Sequence, residues 1–236
     1  MVYSMEYNIH RAMFVFEIGY LVQHIGTGLL NFKIQKQRTI YGISIDAQIC
    51  YAFALLARCF WQFDTQLMSM WLTYFEILVA ITLQLYLLYQ CNQYKDIIYR
   101  NVQEFQYKWY FICAICLVAA CVFHPGKKNA KFFFTLQMFV SFTMFVEAAA
   151  LIPQLAHLHQ NRDTEGLNTY YLLCLGIARL CRMVFWVTMS TKRDSFWYLV
   201  MADVLHTILL GTFFIFFKRA RSSKDAVLGG FSNKGN

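Results

Sequence analysis

Seven apolar segments recur along the chain and are separated by short polar connections. They cover residues 12–31, 45–62, 68–90, 109–123, 132–156, 169–190 and 195–217. An α-helix needs about 20 mostly apolar residues to cross the hydrocarbon core of a bilayer, where only helices and closed barrels satisfy their own backbone. The segments therefore predict an all-α integral membrane protein, built as a bundle of seven transmembrane helices.

The composition leaves no room for a soluble domain. Hydrophobic residues make up 58% of the sequence and charged residues 14%, whereas soluble proteins average roughly 45–50% and about 25%. We expect residues 1–236 to form a single seven-helix domain with a basic, polar C-terminal tail at residues 218–236. The N-terminal stretch MVYSMEYNIHRAM resembles neither a secretory signal nor an Arg-rich transit peptide, so the first segment is expected to remain as a membrane span.

Lysine and arginine residues are distributed unequally between the two sides of the predicted bundle. The connections and tail on the C-terminal side carry about twice as many as those on the N-terminal side. Basic residues favour the side that is not translocated. We therefore expect the C-terminus in the cytosol, or in the matrix if the membrane is mitochondrial. The net charge of +8 is explained by contact with anionic lipid headgroups and requires no nucleic-acid partner.

Ionisable side chains lie inside the predicted spans, where an unpaired charge is costly. They are Glu17, His24, Arg58, Glu76, Glu147, Arg179, Arg182, Asp203 and His206. Such residues usually face a bundle interior or a wet cavity and pair with one another. Because acidic and basic groups nearly balance, we predict a structural charge network inside the bundle. Its proposed members are Glu17, Arg58, Glu76, Glu147, Arg179, Arg182 and Asp203.

The sixth span places two arginines and a tryptophan on one helix face. Arg179, Arg182 and Trp186 are spaced i, i+3 and i+7. Two guanidinium groups beside an indole ring can hold a ligand carboxylate through forked hydrogen bonds. Alternatively, Glu147 and a neighbouring acid neutralise both arginines, which then connect helices and bind no ligand. The spacing leaves both interpretations open.

The fifth span is interrupted by a proline that follows Glu147. Pro153 removes a backbone hydrogen bond and is expected to kink the helix one turn earlier, so that Pro153 and Gln154 mark the kink. Broken backbone is tolerated at membrane depth only where protein or a wet cavity satisfies it. The segment therefore predicts a kinked helix beside a polar interior.

No pattern typical of catalysis or metal binding is present in the sequence. Serine, histidine and aspartate do not cluster at a catalytic spacing, and no glycine-rich phosphate loop is found. Cys113 and Cys116 share a helix face but have no further ligands nearby in the sequence. We therefore expect a protein that is not an enzyme and that uses no metal and no cofactor.

Two stretches of the sequence resemble the ER lumen protein-retaining (KDEL) receptor family. The first is YGISIDAQICYAFALLAR at residues 41–58, with the family's Gly-Ile-Ser start, a Gln and an Arg at the same spacing. The second covers residues 145–186 and contains a Glu, Leu-Pro-Gln, Leu-Gly, an Arg and a Trp in the family's order. The stretch HTILLGTFF at residues 206–214 continues the match weakly.

The resemblance implies two three-helix repeats plus one helix, as in PQ-loop and SWEET transporters, with a luminal N-terminus and a cytosolic C-terminus. It also implies a polar cavity that binds the C-terminal retrieval peptides of escaped ER proteins, more strongly at acidic pH. The residues that match this cavity are candidate ligand-binding residues. They are Arg58, Glu147, Arg179, Trp186 and, if one gap is allowed, His24. Arg58 stands where the family's arginine meets the peptide carboxylate. Arg182 is added to the candidates because it shares a helix face with Arg179.

Several positions depart from the family's pattern. Glu17 and Met189 stand where the family has arginines, and Arg182 replaces a tyrosine. A KDEL-type tail brings three negative groups, and losing one partner of a buried charge pair costs about 2–5 kcal/mol. The departures therefore predict a degenerate peptide pocket.

This interpretation favours a divergent family member that acts as a non-catalytic accessory subunit of a large membrane complex, such as a respiratory assembly of the mitochondrial inner membrane. Its partners would be lipids and other membrane-protein subunits. The alternative is an ER/Golgi retrieval receptor for C-terminal ER-retention peptides, with His24 supplying pH sensitivity. A second alternative, which rests on the fold alone, is a small-solute transporter.

Overall fold

The computed structural model describes residues 2–40, 42–62, 71–98, 108–124, 136–161, 167, 169–190 and 197–232. Within these ranges the chain forms helices and no strands. The helices are α1 (Val2–Gln37), α2 (Ile45–Gln62), α3 (Trp71–Ile98), α4 (Trp109–Val122), α5 (Leu136–Ala149), α6 (Leu151–Asn161), α7 (Thr169–Ser190) and α8 (Trp197–Ser232). Since α5 and α6 are two halves of one interrupted span, the predicted seven-helix membrane bundle is confirmed.

Five described stretches are long and apolar enough to cross a membrane by themselves. They are Arg11–Gln37, Trp71–Lys95, Gln137–His159, Thr169–Thr188 and Trp197–Ser222. The other two helices, α2 with 18 residues and α4 with 14, fall outside this group. These two helices complete the bundle by packing against the longer ones.

The outer surface of the bundle is apolar, and its interior contains buried charged side chains among apolar core residues. Val118 on α4 is 66% exposed and Leu78 on α3 is 65% exposed, whereas Arg58 and Glu76 are buried. Ionisable residues within membrane spans characteristically face the interior in this way, because lipid cannot solvate them. The helices therefore surround a group of buried polar side chains and present apolar side chains to the outside.

Contacts between helices follow the arrangement of two repeats. The most extensive interface joins α1 to α7, and α2 packs on α5. Within each half, α1 contacts α3, while α5 and α6 both contact α8. We take α1 to correspond to α5–α6, α2 to α7 and α3 to α8, with α4 as the additional helix. The interface of α1 with α7 then has its counterpart in that of α5 with α2, and the contact of α1 with α3 has its counterpart in those of α5 and α6 with α8.

Two glycines on α1 allow its close approach to α7. A Cβ atom added at Gly19 would lie 2.9 Å from the Cβ of Cys181, and one added at Gly26 would lie 2.8 Å from the Cβ of Cys174. Real Cβ atoms do not come this close, so only glycine fits without a shift of the helices. The close packing brings polar side chains of α1 within reach of α7.

The fifth span is interrupted at Ala150, between α5 and α6. The backbone N–H of Ala150 still donates to the Val146 carbonyl at 2.8 Å. The break lies one turn before Pro153, whose ring nitrogen has no hydrogen to donate to the preceding turn. The interruption is therefore explained by the proline, and it falls close to Glu147.

Gln154, just beyond the break, is buried and connects α6 to the segment between α1 and α2. Its Oε1 atom accepts a hydrogen bond from the backbone N–H of Ser44 at 2.9 Å, and its Nε2 atom donates to the Gly42 carbonyl at 2.6 Å. Gly42 has a φ angle of 83°, in the left-handed region that favours glycine. The side chain of one repeat thus fixes the backbone of a tight connection in the other.

The last helix continues beyond the apolar segment and into the basic tail. α8 extends to Ser232, so the described part of the predicted tail is helical. The Arg221 Nη1 atom donates to Thr169 Oγ1 at 3.1 Å, and Lys33 Nζ donates to the Leu167 carbonyl at 2.5 Å. These two contacts join the ends of α1 and α8 to the start of α7.

Candidate functional site

A polar cavity lies inside the bundle, between α1, α2, α3, α5 and α7. Its polar lining consists of Gln23, His24, Thr27, Gln48, Tyr51, Arg58, Gln84, Glu147 and Tyr171. The free volume is about 30 Å³, room for about two water molecules. A ligand larger than this enters only if lining side chains or whole helices move apart.

Arg58 in the cavity wall is held by two partners. Its Nη2 atom donates to the carboxylate of Glu76 on α3, and its Nε atom donates to Gln62 Oε1 at 3.0 Å. The other carboxylate oxygen of Glu76 contacts Nε2 of His24. Glu76 is completely buried. One carboxylate therefore bridges the arginine and the histidine that line the cavity.

Glu17 is joined to this group through an amide. Gln62 Nε2 donates to Glu17 Oε1 at 3.3 Å, while Glu17 Oε2 is buried without a hydrogen-bond partner among the described residues. Glu17 stands at a position where the resemblance implies an arginine. In this chain the position therefore supplies an acceptor instead of a cation.

A second group of charges joins α5, α7 and α8. Glu147 Oε2 accepts hydrogen bonds from Arg182 Nη1 at 2.5 Å and from Arg179 Nη1 at 3.0 Å. Asp203 Oδ1 lies 3.4 Å from Arg179 Nη1 and from Arg182 Nη2. All four side chains are buried. Two carboxylates thus face two guanidinium groups, the arrangement in which the arginines connect helices.

The ring of Tyr20 lies between the two groups. The guanidinium carbon of Arg58 is 3.3 Å from the ring centroid and that of Arg182 is 5.1 Å away. The Tyr20 hydroxyl also accepts a hydrogen bond from Arg182 Nη1 at 3.0 Å. Both cations are within the range of a favourable cation–π interaction. Tyr20 therefore separates the two arginines and stabilises both.

The structure distributes the candidate ligand-binding residues over three environments. Arg58, Glu147 and His24 line the cavity. Arg179 and Arg182 point at carboxylates of the second group. The remaining candidate, Trp186, packs in an aromatic cluster, with its ring centroid 4.9 Å from Phe185 and 6.0 Å from Phe16.

Other buried polar residues were not among the sequence candidates. Gln48, Tyr51 and Arg58 lie at i, i+3 and i+10 on one face of α2, and Tyr20 lies between Glu17 and His24 on one face of α1. These helical spacings were visible in the sequence. They were missed because uncharged polar residues and tyrosines occur on many faces of membrane helices.

Within the ranges given above, no three His, Cys, Asp or Glu side chains are grouped so that they could hold an ion. The eight cysteines, all of them in these ranges, are free. The cavity is lined by hydrogen-bonding groups and by the charged side chains of Arg58 and Glu147.

Comparison with known proteins identifies relatives that match most of the chain. A family model described as ER lumen protein retaining receptor matches residues 39–189. The ER lumen protein-retaining receptor of Entamoeba histolytica is 25% identical over 206 residues, which cover 85% of this chain and 91% of that protein. The receptor of the same name from Petunia hybrida is 27% identical over 210 residues, covering 87% and 94%. That of Dictyostelium discoideum is 24% identical over 200 residues, covering 84% and 90%.

These comparisons confirm the resemblance found in the sequence and extend it over most of the chain. They give no support to a mitochondrial complex or to an accessory subunit. They favour the retrieval-receptor alternative, because the relatives named above all carry the receptor's name.

Proposed function

This chain belongs to the ER lumen protein retaining receptor family, and we propose that it is a retrieval receptor of ER and Golgi membranes that binds the C-terminal peptides of soluble proteins. The observation that carries the proposal is the buried polar cavity with Arg58 in its wall. Arg58 stands where the resemblance places the arginine that meets the peptide's terminal carboxylate. The proposed activity is binding and transport, without catalysis.

Arg58 retains one nitrogen for a ligand. Nε and Nη2 donate to Gln62 and Glu76, and Nη1 has no hydrogen bond to the described residues. A carboxylate that accepts from Nη1 would make a charge-assisted hydrogen bond in a site shielded from water. The Tyr51 hydroxyl and Gln23 Oε1, both in the wall, are buried without partners among the described residues. They are available to the polar groups of a peptide.

We propose that a peptide enters the cavity through a movement of the surrounding helices. A peptide tail is much larger than the 30 Å³ of free space, so binding requires the helices around the cavity to separate. The break at Ala150 lies next to Glu147, which lines the cavity. Helix ends of this kind can act as hinges. We propose that bending at this break accompanies peptide entry.

The proposed orientation places the cavity's entrance in the lumen and the basic end of α8 in the cytosol. The distribution of lysine and arginine supports this orientation. His24 contacts Glu76 in the cavity wall, and histidine is the side chain that changes charge between about pH 5 and 8. We propose that peptide binding depends on luminal pH through this residue.

A direct test measures the binding of C-terminal peptides to the full chain in lipid nanodiscs. A fluorescent peptide library with free terminal carboxylates is titrated at about pH 5.5 and about pH 7.2. We expect at least one peptide to saturate below about 1 mM, and its C-terminal amide to bind at least about tenfold more weakly. Amidation removes the charge that Arg58 would hold.

Two variants locate the binding site. Arg58→Gln should abolish the preference for the free carboxylate, whereas Arg38→Gln should preserve it, because Arg38 is exposed at the end of α1. Equal binding of acid and amide peptides by the wild-type chain would show that the carboxylate is not recognised. Absence of saturation by every peptide would refute the proposed function.

A further inference from the structure

We infer that Glu76 determines the ligand specificity of the cavity, so that it accepts C-terminal peptides with neutral polar side chains and rejects acidic tails. The inference rests on the proposed function, since it concerns which peptides the same site binds. It begins from one contact. The carboxylate of Glu76 engages Arg58 with one oxygen and His24 with the other.

These two residues are the basic side chains that line the cavity in the described part of the chain. Glu76 is completely buried, and the Arg58 side chain is 2% exposed. A ligand carboxylate beyond the one that Arg58 Nη1 holds would have to displace Glu76 from Arg58 or from His24. Displacement would leave Glu76 buried without its partners, which is costly in a medium of low dielectric constant.

The second pair of arginines already faces two carboxylates. Arg179 and Arg182 each contact both Glu147 and Asp203. Their nearest carboxylate, Glu147, itself lines the cavity. An acidic side chain that approached from the cavity would therefore meet a negative group before it reached either arginine, and like charges placed together oppose binding.

Apart from Arg58 Nη1, the lining groups that remain available are neutral. Gln23 Oε1 and the Tyr51 hydroxyl are buried without partners among the described residues. Together with Arg58 Nη1 they provide one charge-assisted donor, one amide acceptor and one hydroxyl. A peptide with a single terminal carboxylate and amide or hydroxyl side chains matches this set. A tail with two further carboxylates leaves them without a cation.

The test compares two short fluorescent peptides with free terminal carboxylates, one ending in Lys-Asp-Glu-Leu and the other in Lys-Asn-Gln-Leu. They differ only at the two positions before the terminal Leu, which are acidic in the first peptide and neutral in the second. Their dissociation constants are measured for the wild-type chain and for Glu76→Gln in lipid nanodiscs. We expect the wild-type chain to bind the neutral peptide at least about tenfold more tightly than the acidic one. Glu76→Gln should shift this ratio toward the acidic peptide by at least about tenfold, because it releases Arg58 Nη2 and His24.

Asp46→Asn provides a matched control on α2. Asp46 Oδ1 accepts from the backbone N–H of Trp109 at 3.2 Å, away from the cavity. The same loss of one negative charge there should leave the ratio unchanged. Equal effects of the Glu76 and Asp46 substitutions would show that overall charge, and not the contact with Arg58, sets the preference, and would overturn the inference.

The remaining outcomes separate the inference from the proposed function. A wild-type chain that binds the acidic peptide as tightly as the neutral one overturns the inference and leaves the receptor function standing. Failure of both peptides to bind either protein overturns the inference, whereas the receptor function falls only if no peptide of the library binds the wild-type chain. If Glu76→Gln does not fold, as judged by its thermal transition, the wild-type ratio decides alone.

Discussion

Replacing Glu147 by glutamine tests the electrostatics of the bundle interior most severely. The Glu147 carboxylate accepts hydrogen bonds at 2.5 Å from Arg182 and at 3.0 Å from Arg179. Asp203 is farther from both, at 3.4 Å. Glu147→Gln preserves the shape of the side chain and removes its charge. Two buried guanidinium groups then share one distant carboxylate.

The expected loss follows from the burial of these groups. Arg179 and Arg182 are 1% and 0% exposed, and breaking a buried ion pair by removing one partner costs about 3–5 kcal/mol. For a chain of this size, each kcal/mol lowers the melting temperature by about 2–4 °C. We therefore expect Glu147→Gln to melt about 6–20 °C below the wild-type protein.

The measurement is the thermal unfolding of the full chain in detergent or nanodiscs, followed by intrinsic fluorescence. Glu17→Gln is the matched control, because Glu17 accepts one hydrogen bond from Gln62 at 3.3 Å and has no ion pair among the described residues. We expect it to change stability by less than about 1 kcal/mol. Adding Arg182→Met to Glu147→Gln should recover most of the loss, since one cation then faces one anion. Equal melting of Glu147→Gln and Glu17→Gln would refute the reasoning.

Two further substitutions test contacts between the repeats. Gly26→Ala brings a Cβ to 2.8 Å from that of Cys174 and is expected to cost about 1–3 kcal/mol in the same assay. Gly176→Ala, where a Cβ meets nothing within 4 Å, is expected to have little effect, and equal melting of the two would contradict the close packing of α1 on α7. Gln154→Leu removes the acceptor for the Ser44 N–H and should cost about 1–3 kcal/mol while accelerating hydrogen exchange at that amide. Unchanged exchange would show that the contact does not hold the connection.

The architecture could be predicted because a lipid solvent imposes simple rules on a sequence. Long apolar segments must be helices, and ionisable residues within them must avoid lipid. The extent of each helix was less predictable. α8 continues from the apolar segment into the basic tail as far as Ser232, since the helical backbone does not need apolar side chains once it leaves the membrane core.

The pairing of charges could not be predicted, because it depends on how the helices rotate against one another. Glu76, Arg58 and His24 lie on three different helices, and helical periodicity fixes a face without indicating its neighbour. Counting arginines at the positions that resemble the family therefore missed the carboxylate that occupies Arg58. Likewise, the spacing of Tyr20 gave no sign that two guanidinium groups would contact its ring.

The patterns in this one sequence were also insufficient to choose between an accessory subunit and a retrieval receptor. Glu17 and Met189 replace arginines of the family's peptide pocket, and this loss of positive charge favoured an accessory subunit that binds no peptide. The sequence does not show which contacts the remaining charges make in this chain. Relatives that match most of the chain favour the receptor instead. The proposed function accommodates both observations, since a cavity with different charges would bind a different tail.

The contact made by Gln154 has a consequence for how this bundle can vary during evolution. Its side-chain amide forms hydrogen bonds with two main-chain groups, the Gly42 carbonyl and the Ser44 N–H. Main-chain atoms are the same in every residue, apart from the missing hydrogen of proline. Apart from Gly42, whose φ angle favours glycine, side chains in this connection can therefore change while its path stays fixed, and the contact between the two halves places few demands on their sequences.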